Sequence, residues 1–417
     1  MKKRINFLSF GTTGDVLPFI SLATKLKEFG YEVCITAGTN YEKLIKENNI
    51  EYAPISVDIN ELMNSKEIQS LLSKNPIKKY KSIKEIIIPI LKQTFTDSLE
   101  ASKGSNLIIF HPKVTSAVSI AEKLNIKCLM ASPIPIYAPT REFPFLSVKA
   151  KTLGPFNKLS HYFINIMSSF FTSYINNWRK EALDLPPLGL FDDRLLLRGK
   201  KIPLLFGYSS YVLPRPSDWK ENIHVTGYWF VDQQKNWQPP DELESFINNG
   251  SPPIYIGFGS MVGKDPERLT SEIVKALNTT KYKCILTTGW GALKNIDVPE
   301  NVFVTDYVPH DWLMQHVSAV VHHGGAGTTA AGLRYGKPTL ICPFMVDQTF
   351  WGNVVCKQGL GPEPISQEKI TSEKFANALK VLISDNTLKL NAQKTGEKIR
   401  NENGTQVAVE LINKFIE

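Results

Sequence analysis

The segment "VVHHGGAGTTAAGLRYGKPTL", residues 320–340, joins a short apolar run to a helical pattern through a loop with almost no bulky side chains. Backbone N–H groups in the first turn of such a helix lack intrahelical partners and point towards one spot. Gly325 and Gly327 let an anion approach these groups, Thr328 and Thr329 add hydroxyl donors, and the helix dipole favours negative charge there. The pattern predicts a phosphate site where a strand ends.

The spacing of this loop matches neither the G-x-G-x-x-G dinucleotide fingerprint nor the P-loop with its lysine, and a generic glycine-rich turn is the alternative interpretation. His322 and His323 favour the phosphate site, since an imidazole can donate a hydrogen bond to a phosphoryl oxygen. Paired histidines also occur in zinc sites, but no third ligand lies at the usual spacing. We therefore expect no metal.

Outward from this loop, strand and helix patterns alternate in both halves of the chain. The first half contains "RINFLSF", "PFISLATKLKEFG" and "YEVCITAG", and the second half contains "PIYIGFGS", "PERLTSEIVKALN" and "PTLICPF". The region 213–253 is rich in proline, asparagine and glycine, as a linker would be. The sequence predicts an α/β protein of two Rossmann-like domains, with mostly parallel sheets facing each other across a cleft.

Composition sets limits on the class of protein. A chain of 417 residues with 42% apolar residues is long enough for two cores. No apolar run approaches the roughly 20 residues that a bilayer span requires, so we expect a cytoplasmic location. The formal charge of +8 suggests a phosphate-bearing ligand or an anionic membrane surface, with a merely solvated surface as the alternative. No basic stripe or RNA motif predicts a nucleic-acid partner.

Aromatic side chains are concentrated in residues 137–178. Each of them is compatible with ordinary core packing, but the cluster also suits the wall of a pocket for an apolar ligand. Tyr137, Phe143 and Phe145 are the residues that we expect to contact such a ligand.

Six segments, taken in order along both halves, resemble the UDP-glycosyltransferase superfamily with the GT-B fold. They are "FGTTGDVLPFISLA", "IGFGSMVGKDPERLT", "TTGWGAL", "DYVPHDWL", "VVHHGGAGTTAAGLRYGKPT" and "CPFMVDQTFWGNVV". The similarity is greatest to the branch of sterol 3β-glucosyltransferases and glycopeptide-antibiotic glycosyltransferases. It implies an acceptor-binding domain in 1–215, a nucleotide-sugar domain in 216–388, and a helix in 389–417 that packs back on the first domain.

The resemblance also implies an inverting, metal-independent transfer of a sugar from a nucleotide diphosphate, without a cofactor. His323 and the Gly327–Thr328 turn would grip the diphosphate, and Asp347 and Gln348 would hold sugar hydroxyls. Tyr307 would stack on the base, and Val308 would hydrogen-bond it through the backbone. The remaining residues expected to line the donor are Gly14, Ser260, Gly325 and Trp290, of which Trp290 equally suits a buried core position.

One position departs from the plant pattern. Plant members have a ribose-binding glutamate eight residues after the phosphate histidine, whereas this chain has Ala331. The departure leaves dTDP-sugars open as donors. Similar sequences of the sterol branch also have alanine there, so UDP-glucose is the preferred prediction.

The expected base lies in the first half. Asp15 in "GTTGDVLP" follows the first strand, and the resemblance implies that it removes the proton from the acceptor hydroxyl. The alternative is an N-cap of the following helix. A carboxylate is a weak base, so His111, which ends the strand "NLIIFH", is a candidate helper, with a solvent-exposed His111 as the simpler interpretation.

These features predict an enzyme that transfers a hexose, preferably glucose, to a hydroxyl of a hydrophobic acceptor such as a sterol, lipid, polyphenol or polyketide. A dTDP-sugar-dependent natural-product glycosyltransferase is the first alternative, and a nucleotide-sugar epimerase or a non-catalytic sensor is a more distant one. We expect a monomer or weak dimer that makes peripheral contact with membranes if its acceptor is a lipid.

Overall fold

The computed structural model describes residues 2–57, 83–190, 192–231, 237–259, 261, 265–288, 298–345 and 347–417. The described chain forms two parallel sheets that are each flanked by helices. This confirms the predicted α/β class. Among the described residues, none of the helices is both long and apolar enough to cross a bilayer.

The first sheet has the strand order β3-β2-β1-β4-β5-β8-β9, and every pairing in it is parallel. Its strands are β1 (Arg4–Leu8), β2 (Glu32–Gly38), β3 (Glu51–Ile55), β4 (Leu107–Phe110), β5 (Lys127–Ser132), β8 (Leu204–Phe206) and β9 (Ile223–Val225). A separate antiparallel pair comprises β6 (Leu196–Leu197) and β7 (Lys200–Lys201). The helices of this half are α1 (Thr13–Glu28), α2 (Glu42–Glu47), α3 (Ile88–Ser102), α4 (Ala117–Leu124), α5 (Asn157–Ser160), α6 (Phe163–Ser169) and α7 (Thr172–Trp178).

The second sheet has the order β12-β11-β10-β13-β14 and is also parallel throughout. Its strands are β10 (Ile254–Gly257), β11 (Cys284–Thr287), β12 (Val302–Thr305), β13 (Ala319–His322) and β14 (Thr339–Ile341). The helices of this half are α8 (Asp241–Asn248), α9 (Pro266–Thr280), α10 (His310–His316), α11 (Ala326–Arg334), α12 (Gln348–Lys357), α13 (Ser372–Ser384), α14 (Asn386–Asn401) and α15 (Gly404–Ile416).

Both sheets reverse their strand order next to their first strand. In the first sheet the reversal lies between β1 and β4, and in the second it lies between β10 and β13. Loops that leave neighbouring strands in opposite directions open a crevice at the carboxyl ends of those strands, where α/β proteins bind ligands. The residues that follow these four strands are therefore the first place to look for a site.

The predicted boundary at residue 215 is too early. Strand β9, at Ile223–Val225, extends the first sheet, and Trp229 is buried in the core of that half. Three residues give too weak a period-2 signal to distinguish β9 from the linker. The predicted single helix in 389–417 is in fact two helices: α14 packs on α11 of the second half, and only α15 packs on α1.

The two halves are packed against each other. Phe143 contacts Phe350 with ring centroids 5.2 Å apart, and Tyr208 contacts Trp351 at 6.0 Å. A salt bridge of 2.7 Å joins Lys151 to Glu363. The cleft is thus closed along one side by apolar contacts between α12 and the first domain.

Candidate active site

Asp15 lies in the first turn of α1, directly after the turn that follows β1. Its Oδ2 accepts hydrogen bonds from the backbone N–H of Thr12 at 2.6 Å and from Lys113 Nζ at 2.7 Å. Its Oδ1 is 3.1 Å from Nε2 of His111. The N-cap residue of α1 is Thr12, three positions before Asp15, so the alternative that Asp15 is the N-cap is wrong. Asp15 nevertheless satisfies a backbone donor at the helix start.

Three donors hold this carboxyl ionised. Burial raises the pKa of Asp15, but His111 and Lys113 outweigh burial, and the pKa lies well below its usual range. The carboxylate is therefore charged at every physiological pH. It keeps a fixed orientation and a strong preference for accepting hydrogen bonds.

His111 is buried, with only 3% of its surface exposed, so the interpretation that it faces solvent is wrong. Strands β1 and β4 are neighbours, and His111 follows β4 at the level where the loop to α1 leaves β1. Its Nδ1 accepts from the backbone N–H of Lys113 at 3.4 Å, which leaves the ring proton on Nε2 to be donated to Asp15. His111 thus orients the Asp15 carboxylate through a hydrogen bond from its Nε2.

The glycine-rich loop connects β13 to α11, and Gly325 is the N-cap of this helix. Gly327 is exposed in the first turn, and a side chain there would meet no atom within 4 Å. The first-turn N–H groups, including that of Thr328, have no carbonyl partner within the helix. The loop therefore presents open space and backbone donors at the positive end of a helix.

His323 stands beside this loop. A Cβ on Gly325 would lie 2.5 Å from its Nε2, and one on Gly259 would lie 3.3 Å from its Cε1. Burial, with a smaller contribution from His310, lowers the pKa of His323 to about 4. His323 is therefore neutral at pH 7 and can donate one hydrogen bond from a ring nitrogen. His322 is fully buried, and its Nδ1 accepts from the N–H of Gly324 at 2.9 Å, so it shapes the loop.

Asp347 and Gln348 lie next to the same loop. A Cβ on Gly324 would be 3.0 Å from the carbonyl oxygen of Gln348. Burial raises the pKa of Asp347 to about 6, and the charges of Lys113 and Asp15 also act on it, so Asp347 lies near that ion pair. The side-chain oxygen of Gln348 accepts from the N–H groups of Phe344 and Met345 at 2.8 and 3.0 Å, so Gln348 braces this turn.

The remaining predicted donor residues are distributed as follows. Tyr307 follows β12 and is 57% exposed, whereas Val308 beside it is buried. Gly14 is exposed in the first turn of α1. Ser260 and Trp290 lie outside the described residues. The contacts of all these residues with a donor stay predictions.

The three predicted acceptor residues are mostly engaged with other side chains. Phe143 packs against Trp219 and Phe350, and Phe145 packs against Phe163 at 6.2 Å. Tyr137 has its hydroxyl 3.4 Å from Ser168 Oγ. Their packing is that of a domain core, as in the alternative interpretation, and their contact with an acceptor stays a prediction.

Lys113 is the residue of this site that sequence reasoning missed. It is half-exposed at the mouth of the cleft and contacts Asp15. The signal available was its place two residues after His111 at the end of a predicted strand. Among the described residues, no group of three or more His, Cys, Asp or Glu side chains is arranged to hold a metal ion.

Two protein-family profiles match the chain. The N-terminal domain of glycosyltransferase family 28 matches residues 5–141, and the C-terminal domain of erythromycin biosynthesis protein CIII-like proteins matches residues 271–414. A sterol 3-beta-glucosyltransferase of Arabidopsis thaliana is 35% identical over 99% of this chain and 68% of its own length. This chain belongs to the UDP-glycosyltransferase superfamily. It is a glycosyltransferase, as the sequence predicted.

A second relative, the sterol 3-beta-glucosyltransferase of Pichia angusta, is also 35% identical over 99% of this chain. The chain spans about two thirds of the length of the plant relative and 34% of that of the Pichia relative. Both similarities run through the Asp15 turn and the glycine-rich loop, since they extend over nearly the whole chain.

Solved structures confirm the GT-B fold. The glycosyltransferase of kitacinnamycin superposes with a TM-score of 0.73 at 16% identity, covering 100% of both chains. The glycosyltransferase VinC in complex with dTDP superposes with a TM-score of 0.66 at 16% identity, covering 98% of each chain. At this identity the similarity concerns the fold alone.

Proposed function

We propose that this enzyme transfers glucose from UDP-glucose to the 3-hydroxyl of a sterol, with inversion at the anomeric carbon and without a metal ion. The observation that supports the proposal is an oriented carboxylate, Asp15, whose charge reaches Asp347, the residue next to the Gln348 that contacts the glycine-rich loop. An acceptor hydroxyl needs a carboxylate that takes its proton, and a nucleotide diphosphate needs the hydrogen-bond donors of such a loop. The sterol 3-beta-glucosyltransferases at 35% identity support the choice of acceptor.

The proposed reaction begins with the acceptor hydroxyl hydrogen-bonded to Oδ1 of Asp15. Its oxygen attacks the anomeric carbon from the side opposite the diphosphate, the bond from that carbon to the phosphate oxygen breaks, and UDP leaves. The hydroxyl proton passes to Asp15. Because the pKa of Asp15 is low, the proton moves only late, when bond formation has made the acceptor oxygen strongly acidic.

The leaving diphosphate gains negative charge during this step. The N–H groups of Gly327 and Thr328 in the first turn of α11 are available to this charge, and His323 adds a neutral donor. The fold holds these hydrogen-bond donors in place before the sugar nucleotide binds. They stabilise the charge without having to reorganise.

Asp347 is proposed to hold the sugar. Above pH 6 its largely buried carboxylate is an acceptor that sugar hydroxyls can satisfy, and its proximity to Asp15 would bring the anomeric carbon close to the acceptor hydroxyl. Gln348 has an indirect role, because its side chain is hydrogen-bonded to the turn before Asp347 and holds that turn in place.

The first test is turnover with a detergent-solubilised sterol and either UDP-glucose or dTDP-glucose, with mass spectrometry of the product. We expect a sterol monoglucoside from UDP-glucose and inverted stereochemistry by NMR. Sugar consumption without acceptor would instead indicate an epimerase. Donor binding without any turnover would indicate a sensor.

The second test is the base. We expect Asp15→Asn to lower kcat by about 10²–10⁴-fold, the range typical of general-base removal, while the affinity for UDP-glucose stays within about threefold. Thr12→Ala is the matched control, because it removes a hydroxyl partner of Asp15 but leaves the carboxylate and the backbone donor. His111→Ala should lower kcat less than Asp15→Asn does. An unchanged kcat in His111→Ala would remove His111 from the mechanism.

A further inference from the structure

The surface formed by α5, α6 and their flanking turns carries an unusual concentration of exposed apolar side chains. Of the 18 large hydrophobic side chains that are exposed in the described chain, eight lie between residues 153 and 170. We call this set the apolar patch. Its members are Leu153, Phe156, Leu159, Tyr162, Phe163, Ile166, Met167 and Phe170.

The helices of the apolar patch direct their apolar side away from the core, unlike most helices on the surface of a globular domain. Residues at helical spacing on the inner side are polar or small: Asn157 and His161 are buried, and Ser168 faces Tyr137. Phe156 and Phe170, on the outer side, are 64% and 69% exposed. A surface helix ordinarily places its apolar stripe on the core. Here the apolar stripe is exposed and needs a partner.

The inner face is firmly attached, so the orientation is fixed. The side-chain amide of Asn157 donates to the carbonyl of Arg141 at 2.9 Å, and its oxygen accepts from the N–H of Leu153 at 2.7 Å. The His161 ring lies 3.0 Å from the carbonyl oxygen of Phe143. Rotating the helices to bury the outer rings would break these buried hydrogen bonds.

The charge around the patch indicates the partner. From Phe143 to Trp178 the chain contains three lysines and no aspartate or glutamate. Lys149 is exposed, Lys151 pairs with Glu363, and Lys158 lies 3.6 Å from Asp218. Carboxylates thus compensate two of the three lysines, and Lys149 carries the uncompensated positive charge beside the exposed Phe, Leu and Ile side chains. Exposed apolar side chains bordered by a lysine are typical of a surface that lies in the headgroup region of an anionic bilayer.

We propose that the apolar patch docks this enzyme on an anionic lipid surface. The patch adjoins the cleft, since Phe163 contacts Phe145, and Phe143 two residues earlier contacts Phe350 of the second domain. Docking there would present the cleft to the bilayer. The proposal extends the proposed function, because a sterol acceptor resides in a bilayer, but binding itself requires no turnover.

The binding test uses flotation with vesicles that contain no sterol, made of phosphatidylcholine with or without a minority of phosphatidylserine. We expect binding to the anionic vesicles that weakens with salt. The double variant Phe156→Asn/Phe170→Asn should bind about tenfold or more weakly, since it removes two rings from the interface. Val381→Asn/Leu390→Asn is the matched control: these side chains are 45% and 49% exposed and lie outside the patch. It should bind as the wild type does.

Charge is tested separately. Lys149→Glu should weaken binding to anionic vesicles several-fold, whereas Lys380→Glu, exposed on α13, should not. Wild type that ignores anionic vesicles, or a ring variant that binds as well as the wild type, would overturn the proposal. A wild-type dimer that sedimentation shows to be a monomer in the ring variant would also overturn the proposal, because the partner of the patch would then be a second copy of this chain.

The final arm separates docking from catalysis. The ring variant should glucosylate detergent-solubilised sterol at the wild-type rate and vesicle-embedded sterol much more slowly. Equal loss in both assays would place the rings in catalysis and contradict the docking role. If no sterol is glucosylated by any variant while vesicle binding behaves as expected, the proposed acceptor is wrong and the docking surface stands.

Discussion

Asp15 and Asp347 are two carboxyl groups whose environments separate their pKa values. Burial acts on both, but His111 and Lys113 hold the pKa of Asp15 well below its usual range, whereas the pKa of Asp347 is raised to about 6. Two carboxyl groups whose pKa values are separated in this way commonly have different roles in one active site. Asp15 cannot titrate in an assay near neutral pH, so of these two carboxyl groups only Asp347 can produce an acid limb near pH 6.

We therefore expect the kcat/KM for UDP-glucose to fall as the pH drops through about 6, because a protonated Asp347 no longer accepts hydrogen bonds from sugar hydroxyls. Asp347→Asn should lower kcat/KM at pH 8 and abolish this acid limb. The measurement is a pH profile of both proteins with saturating acceptor. An acid limb that persists unchanged in the variant would assign the limb to another group.

The same shift has a consequence for stability. The pKa of Asp347 is higher in the folded than in the unfolded chain, so ionisation costs free energy of folding as the pH rises from about 4 to 6. Asp347→Asn should be more stable than wild type above pH 6 by about 1–2 kcal/mol, after allowance for partial solvent exposure. Below pH 4 the two should unfold alike, which denaturant titrations at both pH values will check.

At the residue scale, the sequence predicted which candidate residues would meet better than it predicted their surroundings. Asp15 and His111 follow strands, and neighbouring parallel strands bring their ends together, so their meeting was predictable. The burial of His111 was not, because it depends on Phe19 from α1 packing 6.3 Å from its ring. The ion pair with Lys113, 98 residues from Asp15, depends on the same tertiary geometry.

At the scale of one element, the turn into α11 separates two requirements for glycine. Gly324 has φ +96°, and a Cβ there would lie 2.7 Å from Ile341 Cγ2 and 3.0 Å from the Gln348 carbonyl oxygen. Gly327 has an ordinary φ, and a Cβ there would meet nothing. Folding requires the first glycine, and only a ligand can require the second.

Two alanine variants should therefore behave in opposite ways. Gly324→Ala should lose about 2–4 kcal/mol of folding free energy through backbone strain and overpacking. Gly327→Ala should stay within about 1 kcal/mol of wild type, because alanine suits a helix, yet it should bind UDP about tenfold or more weakly, since a methyl group covers the amides. Denaturant titration and calorimetry measure the two effects. Unchanged UDP affinity in Gly327→Ala would move the diphosphate away from this turn.

Elements were predictable to the extent that their periodicity was strong. The apolar run that opens "VVHHGGAGTTAAGLRYGKPTL" predicted β13 and "PERLTSEIVKALN" predicted α9, and both are present. Strand β9 has only three residues, so its membership of the first sheet depends on pairing with β8 and not on any local signal. The outward apolar face of α6 was also unpredicted, because periodicity fixes a stripe and not the side on which the core lies.

At the scale of the whole molecule, the chain returns to its first domain. Helix α15 buries Val409, Ile412 and Ile416 in the core that contains Phe19 and Leu26 of α1. A Cβ on Gly404 would lie 2.5 Å from the carbonyl carbon of Gly227, so α15 starts tightly against the segment after β9. Residues at the C-terminal end of the chain thus stabilise the domain that carries Asp15.

This arrangement predicts which domain a distant substitution will weaken. Ile412→Ala should remove about 2–5 kcal/mol by leaving a cavity under α1, and Leu379→Ala, buried beside α9 in the second domain, should cost a similar amount. Hydrogen exchange read by mass spectrometry distinguishes their locations: Ile412→Ala should speed exchange in α1 and β2, and Leu379→Ala in α9 and β14. UDP should slow exchange around α11 equally well in Ile412→Ala and in wild type, because that variant leaves the second domain intact. Faster exchange in α9 of Ile412→Ala would mean that the two cores unfold as one unit. The two domains would then not be independent in their stability.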